Sequence, residues 1–349
     1  MGPAQVDIPS FVRIKPGALG RLGLYAARHE RAKPALLASA GLPDPIMTAV
    51  RDGFAERGIA FALEREVEDP SFAVAADLLA ELPAGCDSVF GVGGGRALDV
   101  AKYVASLAGA PYYSVPTSLS NDGFCAPQSS LALQGRRKSL PCRMPFAVVV
   151  DTAVCSDAPE VLWWSGVGDL IAKLTAVQDW KLAYHERGEA VDDLAALLST
   201  STVYQFIARP HRDAESLQVM ATALMISGVA MAICGSSRPA SGAEHLISHA
   251  LDRSSKRPRY HGLQVGVAAY LTSRLHGGGH TATIARLFDD TRFWDGIRAE
   301  PFSRDEWLEA TRAASQSQCD RFTILQHRDC VGDVEAMIDS DPRLAGCFT

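Results

Sequence analysis

"FGVGGGRALDVAK" runs from Phe90 to Lys102, and its reading decides the architecture. An apolar run enters three consecutive glycines, Gly93, Gly94 and Gly95, and leaves as a helical pattern. Strand, tight turn and helix in that order form one half of a βαβ unit. Glycines at such a turn permit positive φ and let the backbone approach a pyrophosphate, which the N-terminus of the next helix attracts. Three in a row exceed what a turn needs, so the segment reads as a nucleotide-binding turn. A plain βα turn is the alternative, because the spacing is not GxGxxG. Asp99 follows in what the pattern places as the first helical turn. There it either contacts a cofactor or complements the helix dipole.

The same grammar extends outward on both sides. "PALLASA" (34–40), "IAFALEREV", "APYYSVPTS" and "PFAVVVD" read as strands. "PDPIMTAVRDGFAERG", ending at Gly58, and "SFAVAADLLAELPAG", stopping before Pro83, read as helices. Alternation of this kind predicts an α/β domain over 1–157, with a parallel sheet covered by helices on both faces. After about Asp157 the strand-like runs vanish, and 158–349 reads as an all-helical domain. The two are expected to pack around a shared cleft, where ligand sites concentrate. In open α/β sheets ligands bind beyond the carboxyl ends of strands. That rule points to "VPTSLSNDGFCAP" and its Thr117, Ser118, Ser120, Asn121 and Asp122. These serve cofactor or substrate hydroxyls, or simply build an Asx-type turn.

Composition narrows the function class. The 349 residues are 47% hydrophobic, enough for a large core. A net charge of −6 and a pI near 5.9 lack the basic footprint of a nucleic-acid binder. The one dense basic run, "GRRKSLPCR", reads as a solvated loop or an anion contact. Eight cysteines without a CxxC read as reduced, mostly buried thiols of a cytoplasmic protein. "MGPAQVDIPSFVRIKPGAL" has no signal-peptide pattern, and Val6 stands where a myristoylation signal needs Ser or Thr. No uninterrupted apolar run of about 18 residues occurs, so no membrane span is expected. A small-molecule ligand and a homo-oligomer are the expected partners.

Three of only nine histidines fall within seventeen residues, in "SGAEHLISHALD" and "HGLQVG". His245 and His249 are four apart and share a helix face; His261 opens an apolar segment. A metal site needs a further donor, and "SGVGDLIAK" offers Asp169. Asp169 also reads as an ordinary N-terminal helix acid. Spacing alone leaves a metal site, a catalytic relay and core packing all open, since HxxxH without the intervening Glu is not the zincin motif.

"GVGGGRALDVAK", "PTSLSNDG", "GVGDLIAKLTAVQDWKLA", "SGAEHLISHALD" and "HGLQVG" occur in this order, and together they resemble the glycerol-1-phosphate dehydrogenases. These belong with the iron-containing alcohol dehydrogenases, glycerol dehydrogenase and dehydroquinate synthase. The resemblance spans about Phe90 to Gly266. It implies a dehydroquinate synthase-like architecture, an α/β nucleotide-binding domain followed by an all-α metal-binding domain. It implies NAD or NADP on Gly93, Gly94, Gly95 and Asp99 and on Thr117, Ser118 and Ser120. It implies Zn²⁺, or another divalent metal, on Asp169, His245 and His261, with Asp122 and His249 contacting substrate and His249, or water beside it, delivering the proton. The implied reaction is hydride transfer between NAD(P)H and a small phosphorylated ketone, with dihydroxyacetone phosphate and sn-glycerol 1-phosphate the family case.

Two departures stand out. Where the family reads DGxAS, this chain has Cys125 and Ala126. Where the alcohol dehydrogenase branch has a metal-binding His four residues after the Asp, this chain has Lys173. Candidate phosphate partners are Arg136, Arg137, Lys138 and Arg143, or Lys173. Another polyol, cyclitol or aminocyclitol phosphate remains an alternative substrate. A cyclase using NAD⁺ transiently and a non-catalytic relative are further alternatives. "GLPDP", after the 34–40 strand, does not decide between NAD and NADP.

Overall fold

The computed structural model describes residues 6–317 and 321–349. Met1–Gln5 and Cys319, which enter the N-terminal and thiol readings above, lie outside the described residues. Contacts divide the chain into two compact units. One is the chain through Ala158 together with Arg212–Ala232; the other is Pro159–His211 with Ile233–Thr349.

In the first unit the elements run β1 (Phe11–Ile14), α1 (Leu22–Arg28), β2 (Pro34–Ser39), α2 (Asp44–Ala55), β3 (Leu63–Val67), α3 (Phe72–Glu81), β4 (Ser88–Gly93), α4 (Gly95–Ala108) and β5 (Tyr112–Pro116). β6 (Gln128–Leu133), β7 (Arg136–Pro141), β8 (Ala147–Val150) and α5 (Thr152–Asp157) follow. Six strands make one sheet in the order β1-β8-β5-β4-β2-β3, with every pairing parallel. The inner strands are near-continuous apolar runs because both of their faces are covered. Side chains alternate between the faces. Leu36, Ala38, Phe90 and Val92 pack with Leu22, Tyr25, Val50 and Phe54 from α1 and α2. Ala35, Leu37 and Val89 pack with Ala75, Leu78, Val100 and Val104 from α3 and α4. Each such Leu, Val or Phe contributes about 1.5–3 kcal/mol on burial. The parallel sheet and two-sided helical cover agree with the sequence-based expectation.

The basic run is not a loop. Arg136, Arg137 and Lys138 are exposed on β7, which pairs antiparallel with β6. The turn between them holds Gln134 and Gly135 at φ 53° and 73°. Two consecutive positive φ values make the two-residue hairpin turn that matches strand twist.

The remaining helices are α6 (Glu160–Arg187), α7 (Asp193–Ile207), α8 (Ala214–Cys234), α9 (Ala243–Ser254) and α10 (His261–Leu275), followed by shorter ones. By length and mean hydropathy, 1.9, α8 passes for a membrane span, a property that a search for uninterrupted apolar runs misses. Its Leu217, Met220, Ala221 and Leu224 are buried. A Cβ on Gly228 would stand 2.3 Å from the Cys125 carbonyl oxygen, so α8 packs backbone-close inside the first unit. The seven described cysteines are all free thiols. Burial pushes Cys125 up to about 12, which removes it from thiolate chemistry near neutral pH.

Candidate cofactor turn and metal centre

Strand order reverses between β2 and β4. The chain leaves β2 toward one edge through β3, then returns to β4 and builds outward through β5 and β8. Such a reversal opens a crevice at the carboxyl ends of the two strands. Ser39 and Gly93 stand at those ends. Gly93 has φ +137°, and a Cβ there would lie 2.1 Å from Ser39 Oγ, so only glycine fits. Ser39 Oγ accepts the Gly94 N–H at 3.0 Å. A Cβ on Gly94 would meet nothing within 4 Å. The N-terminus of α4 therefore opens onto empty space bounded by bare backbone, the shape and polarity that suit a pyrophosphate.

The neighbouring segment is tied to the same turn. Thr117 donates its N–H to the Gly93 carbonyl at 3.0 Å and is buried. Ser118 and Ser120 follow, half-buried. Asn121 Oδ1 accepts the Gly123 N–H at 2.9 Å, so the Asx-type turn is real. Asp122 Oδ2 accepts from Ser227 of α8 at 2.8 Å. Asp99 needs correction: it is the fifth residue of α4, past the first turn, so the dipole argument fails for it. Its carboxylate lies 3.3 Å from the buried Lys102 ammonium, which donates to the Gly123 carbonyl at 2.6 Å. Asp99 thus acts on the "NDG" segment through Lys102.

In the second unit Asp169, His245 and His261 converge, with one donor atom from each within 4.8 Å of the others. Helix packing brings them there. Gly168 precedes Asp169 on α6, and Gly262 follows His261 on α10. A Cβ on Gly168 would stand 2.0 Å from the Gly262 carbonyl oxygen, and one on Gly262 would stand 1.7 Å from the Ser165 carbonyl oxygen. The two helices therefore touch along their backbones beside the donors. Asp169 is the tenth residue of a 28-residue helix, which corrects its reading as an N-terminal acid.

Each histidine points one nitrogen at the same oxygen. Both Nε2 atoms lie 3.8 Å from Asp169 Oδ1. That is too long for a hydrogen bond and suits three donors arranged around one ion. The other nitrogens are occupied: His245 Nδ1 by Glu244 Oε1 at 2.9 Å, and His261 Nδ1 by Ser248 Oγ at 3.2 Å. Metal-binding histidines are held in this way. Burial alone would raise Asp169, but the Lys173 ammonium, 3.1 Å from Oδ2, and the two histidines outweigh it and keep the carboxylate ionised. Two imidazoles and a carboxylate fit a borderline divalent ion such as Zn²⁺.

Lys173 is wholly buried, so it serves as the internal counter-charge of Asp169. Arg143, like the cations of β7, is exposed. His249 reaches solvent one helical turn beyond His245, its ring centre 6.3 Å from that of His245 and 6.0 Å from that of His261. Surrounding protein disfavours its charged form, and His261, His245, Arg321 and Arg253 add repulsion. It is therefore neutral near neutral pH. Sequence reading missed Glu244, which contacts His245, Thr175, which contacts Glu244, and the packing glycines Gly262 and Gly266. The Glu–His pair in "SGAEHL" is the only advance signal of the former.

Similarity to known proteins identifies the class. Residues 13–159 match the family described as iron-containing alcohol dehydrogenase. The fold resembles that of a probable glycerol dehydrogenase from Sinorhizobium meliloti (TM-score 0.75, 19% identity, 97% of this chain and 99% of that one). It also resembles glycerol dehydrogenase from Schizosaccharomyces pombe (TM-score 0.72, 18% identity, 95% and 91%). Glycerol-1-phosphate dehydrogenase [NAD(P)+] from Halorubrum lacusprofundi is 37% identical over 331 residues, 92% of each chain. The Thermococcus sibiricus protein of the same name is 43% identical over 195 residues, so there the match spans 55% of this chain and 56% of its relative. The chain belongs to the glycerol-1-phosphate dehydrogenase family.

Proposed function

We propose that the protein interconverts dihydroxyacetone phosphate and sn-glycerol 1-phosphate, using NADH or NADPH and a divalent metal, preferably Zn²⁺. The observation that carries this reading is the donor set of Asp169, His245 and His261, with both imidazoles turned Nε2-inward. A divalent ion held there supplies a Lewis acid for the substrate carbonyl. Gly93, Gly94, Gly95, Thr117, Ser118 and Ser120 hold the dinucleotide, and Asp99 orders the adjoining segment through Lys102. Asp122, steadied by Ser227, orients the substrate. His249, neutral and solvent-connected, passes the proton between water and the substrate oxygen. The free thiols of the described chain suit a reducing, cytoplasmic setting.

The test is oxidation of NADH and NADPH by Zn²⁺-loaded protein with dihydroxyacetone phosphate, with the enantiomer of the product identified. Formation of sn-glycerol 1-phosphate is the expected result. Binding of metal and dinucleotide without turnover would move the substrate to a larger polyol phosphate. His249→Ala should keep its metal and lose about 10²–10⁴-fold in turnover; unchanged kinetics would remove His249 from the mechanism. Gly94→Ala places a methyl in open space, so its melting temperature should stay within about 2 °C of the parent. Its dinucleotide affinity should fall about tenfold, or ~1.4 kcal/mol. Unchanged affinity would move the pyrophosphate away from this turn.

A further inference from the structure

One wholly buried carboxylate has no part in the chemistry above. Glu244 immediately precedes His245 on α9 and is 0% exposed. A buried charge of this kind persists only when donors saturate it. Oε1 accepts the Gly242 N–H at 2.5 Å and lies 2.9 Å from His245 Nδ1. Oε2 lies 2.9 Å from Thr175 Oγ1 of α6. That hydroxyl is also 3.0 Å from the Ala172 carbonyl, and the charged acceptor is the stronger claimant for its proton.

Both carboxylate oxygens already accept, Oε1 from the Gly242 N–H and Oε2 from the Thr175 hydroxyl, so the group turned to His245 is an acceptor. His245 must therefore present Nδ1–H to Glu244, which leaves the Nε2 lone pair directed at the position shared with Asp169 Oδ1. At the companion histidine, His261 Nδ1 lies 3.2 Å from the neutral hydroxyl of Ser248. A carboxylate behind an imidazole makes it the stronger donor. The backbone is shaped for this arrangement. A Cβ on Gly242 would stand 3.0 Å from Glu244 Oε2 and 2.6 Å from Asp179 Oδ2, so a side chain there would displace both carboxylates. Asp179 does the anchoring. It accepts the Ala243 N–H and the Ile324 N–H, each at 2.7 Å, and its Oδ1 lies 2.8 Å from His276 Nε2. The start of α9 is thus held by Asp179 as well as by the Glu244 bond to the Gly242 N–H.

We propose that Glu244 is a positioning residue of the metal centre. It fixes the tautomer and ring orientation of His245 and strengthens it as a donor, and Thr175 holds Glu244 in that role. The proposal rests on Asp169, His245 and His261 being the metal donors, and is independent of which ketone is reduced.

The experiment is competition titration of Zn²⁺ between the metal-free full-length protein and a chromophoric chelator, for the parent, Glu244→Gln and Thr175→Val. Melting of the metal-free forms and the visible spectra of the Co²⁺-loaded forms are recorded alongside. Glutamine keeps the shape and an accepting oxygen, so metal-free Glu244→Gln should melt within about 2 °C of the parent. Its Zn²⁺ affinity should drop about 10–100-fold, and its Co²⁺ spectrum should shift. Thr175→Val, which leaves the histidine and the carboxylate in place, should weaken Zn²⁺ in the same direction by a smaller factor. Zn²⁺ binding at parental strength in both variants would overturn the proposal, as would an unshifted Co²⁺ spectrum in Glu244→Gln. A parent that binds no Zn²⁺ would overturn the metal reading with it. A parent that binds Zn²⁺ but leaves dihydroxyacetone phosphate unreduced would count only against the substrate.

Discussion

His245→Ala should yield a folded protein that retains no stoichiometric Zn²⁺ and reduces dihydroxyacetone phosphate at least about 10³-fold more slowly, since a bound metal supplies several kcal/mol of charge stabilisation. Only three protein donors converge among the described residues, so removing one leaves two, fewer than a catalytic zinc site uses. His261→Ala should behave in the same way. Asp169→Asn is a poorer test. It replaces the carboxylate paired with the Lys173 ammonium, 0% exposed, by a neutral amide, and breaking a buried pair costs about 3–5 kcal/mol of stability by itself. Metal content by elemental analysis, read beside turnover, separates the outcomes. A His245→Ala protein that has lost its metal and still turns over at the parental rate would contradict the assignment.

Gly262→Ala should be the most damaging glycine-to-alanine change among the described residues. Its Cβ would stand 1.7 Å from the Ser165 carbonyl oxygen and 2.8 Å from Ser165 Oγ. Backbone cannot rotate aside, so α6 and α10 must separate. Overpacking of a close-packed interior costs about 1–3 kcal/mol, and this contact falls at the upper end or beyond. The functional loss should exceed the stability loss, because the same separation draws His261 away from Asp169. Thermal melting with and without Zn²⁺ reads both effects. The parent should gain stability from the ion, whereas Gly262→Ala should melt lower and gain little. Parental melting together with parental Zn²⁺ stabilisation would show that the helix contact does not set the donor geometry.

What could be read in advance follows from how local each signal is. The glycine turn carries its own evidence, because strand, bare backbone and helix are contiguous from Phe90 to Lys102. The inner strands announce themselves because burial on both faces demands unbroken apolar runs. β1 does not, since its four residues are all only half-buried at the sheet edge. The hairpin of β6 and β7 was hidden by its charges, which suit an exposed antiparallel strand as well as a loop. Asp169 was misplaced for a clearer reason. Gly166 and Gly168 look like helix breakers in sequence, yet both lie inside α6, and Gly168 is where α10 crosses it. A glycine that serves close packing between helices cannot be told from one that serves a turn until the partner helix is known. Glu244 shows the same limit, since a glutamate beside a histidine becomes a candidate for the metal centre only once its carboxylate is seen behind Nδ1.

The most direct measurement is turnover against metal equivalents. Metal-stripped protein is titrated with Zn²⁺ in the presence of NADH or NADPH and dihydroxyacetone phosphate, then treated with a chelator. The account predicts that activity rises in proportion to added ion, saturates at one ion per chain, and vanishes on chelation. Full activity in protein shown to carry no metal would contradict it.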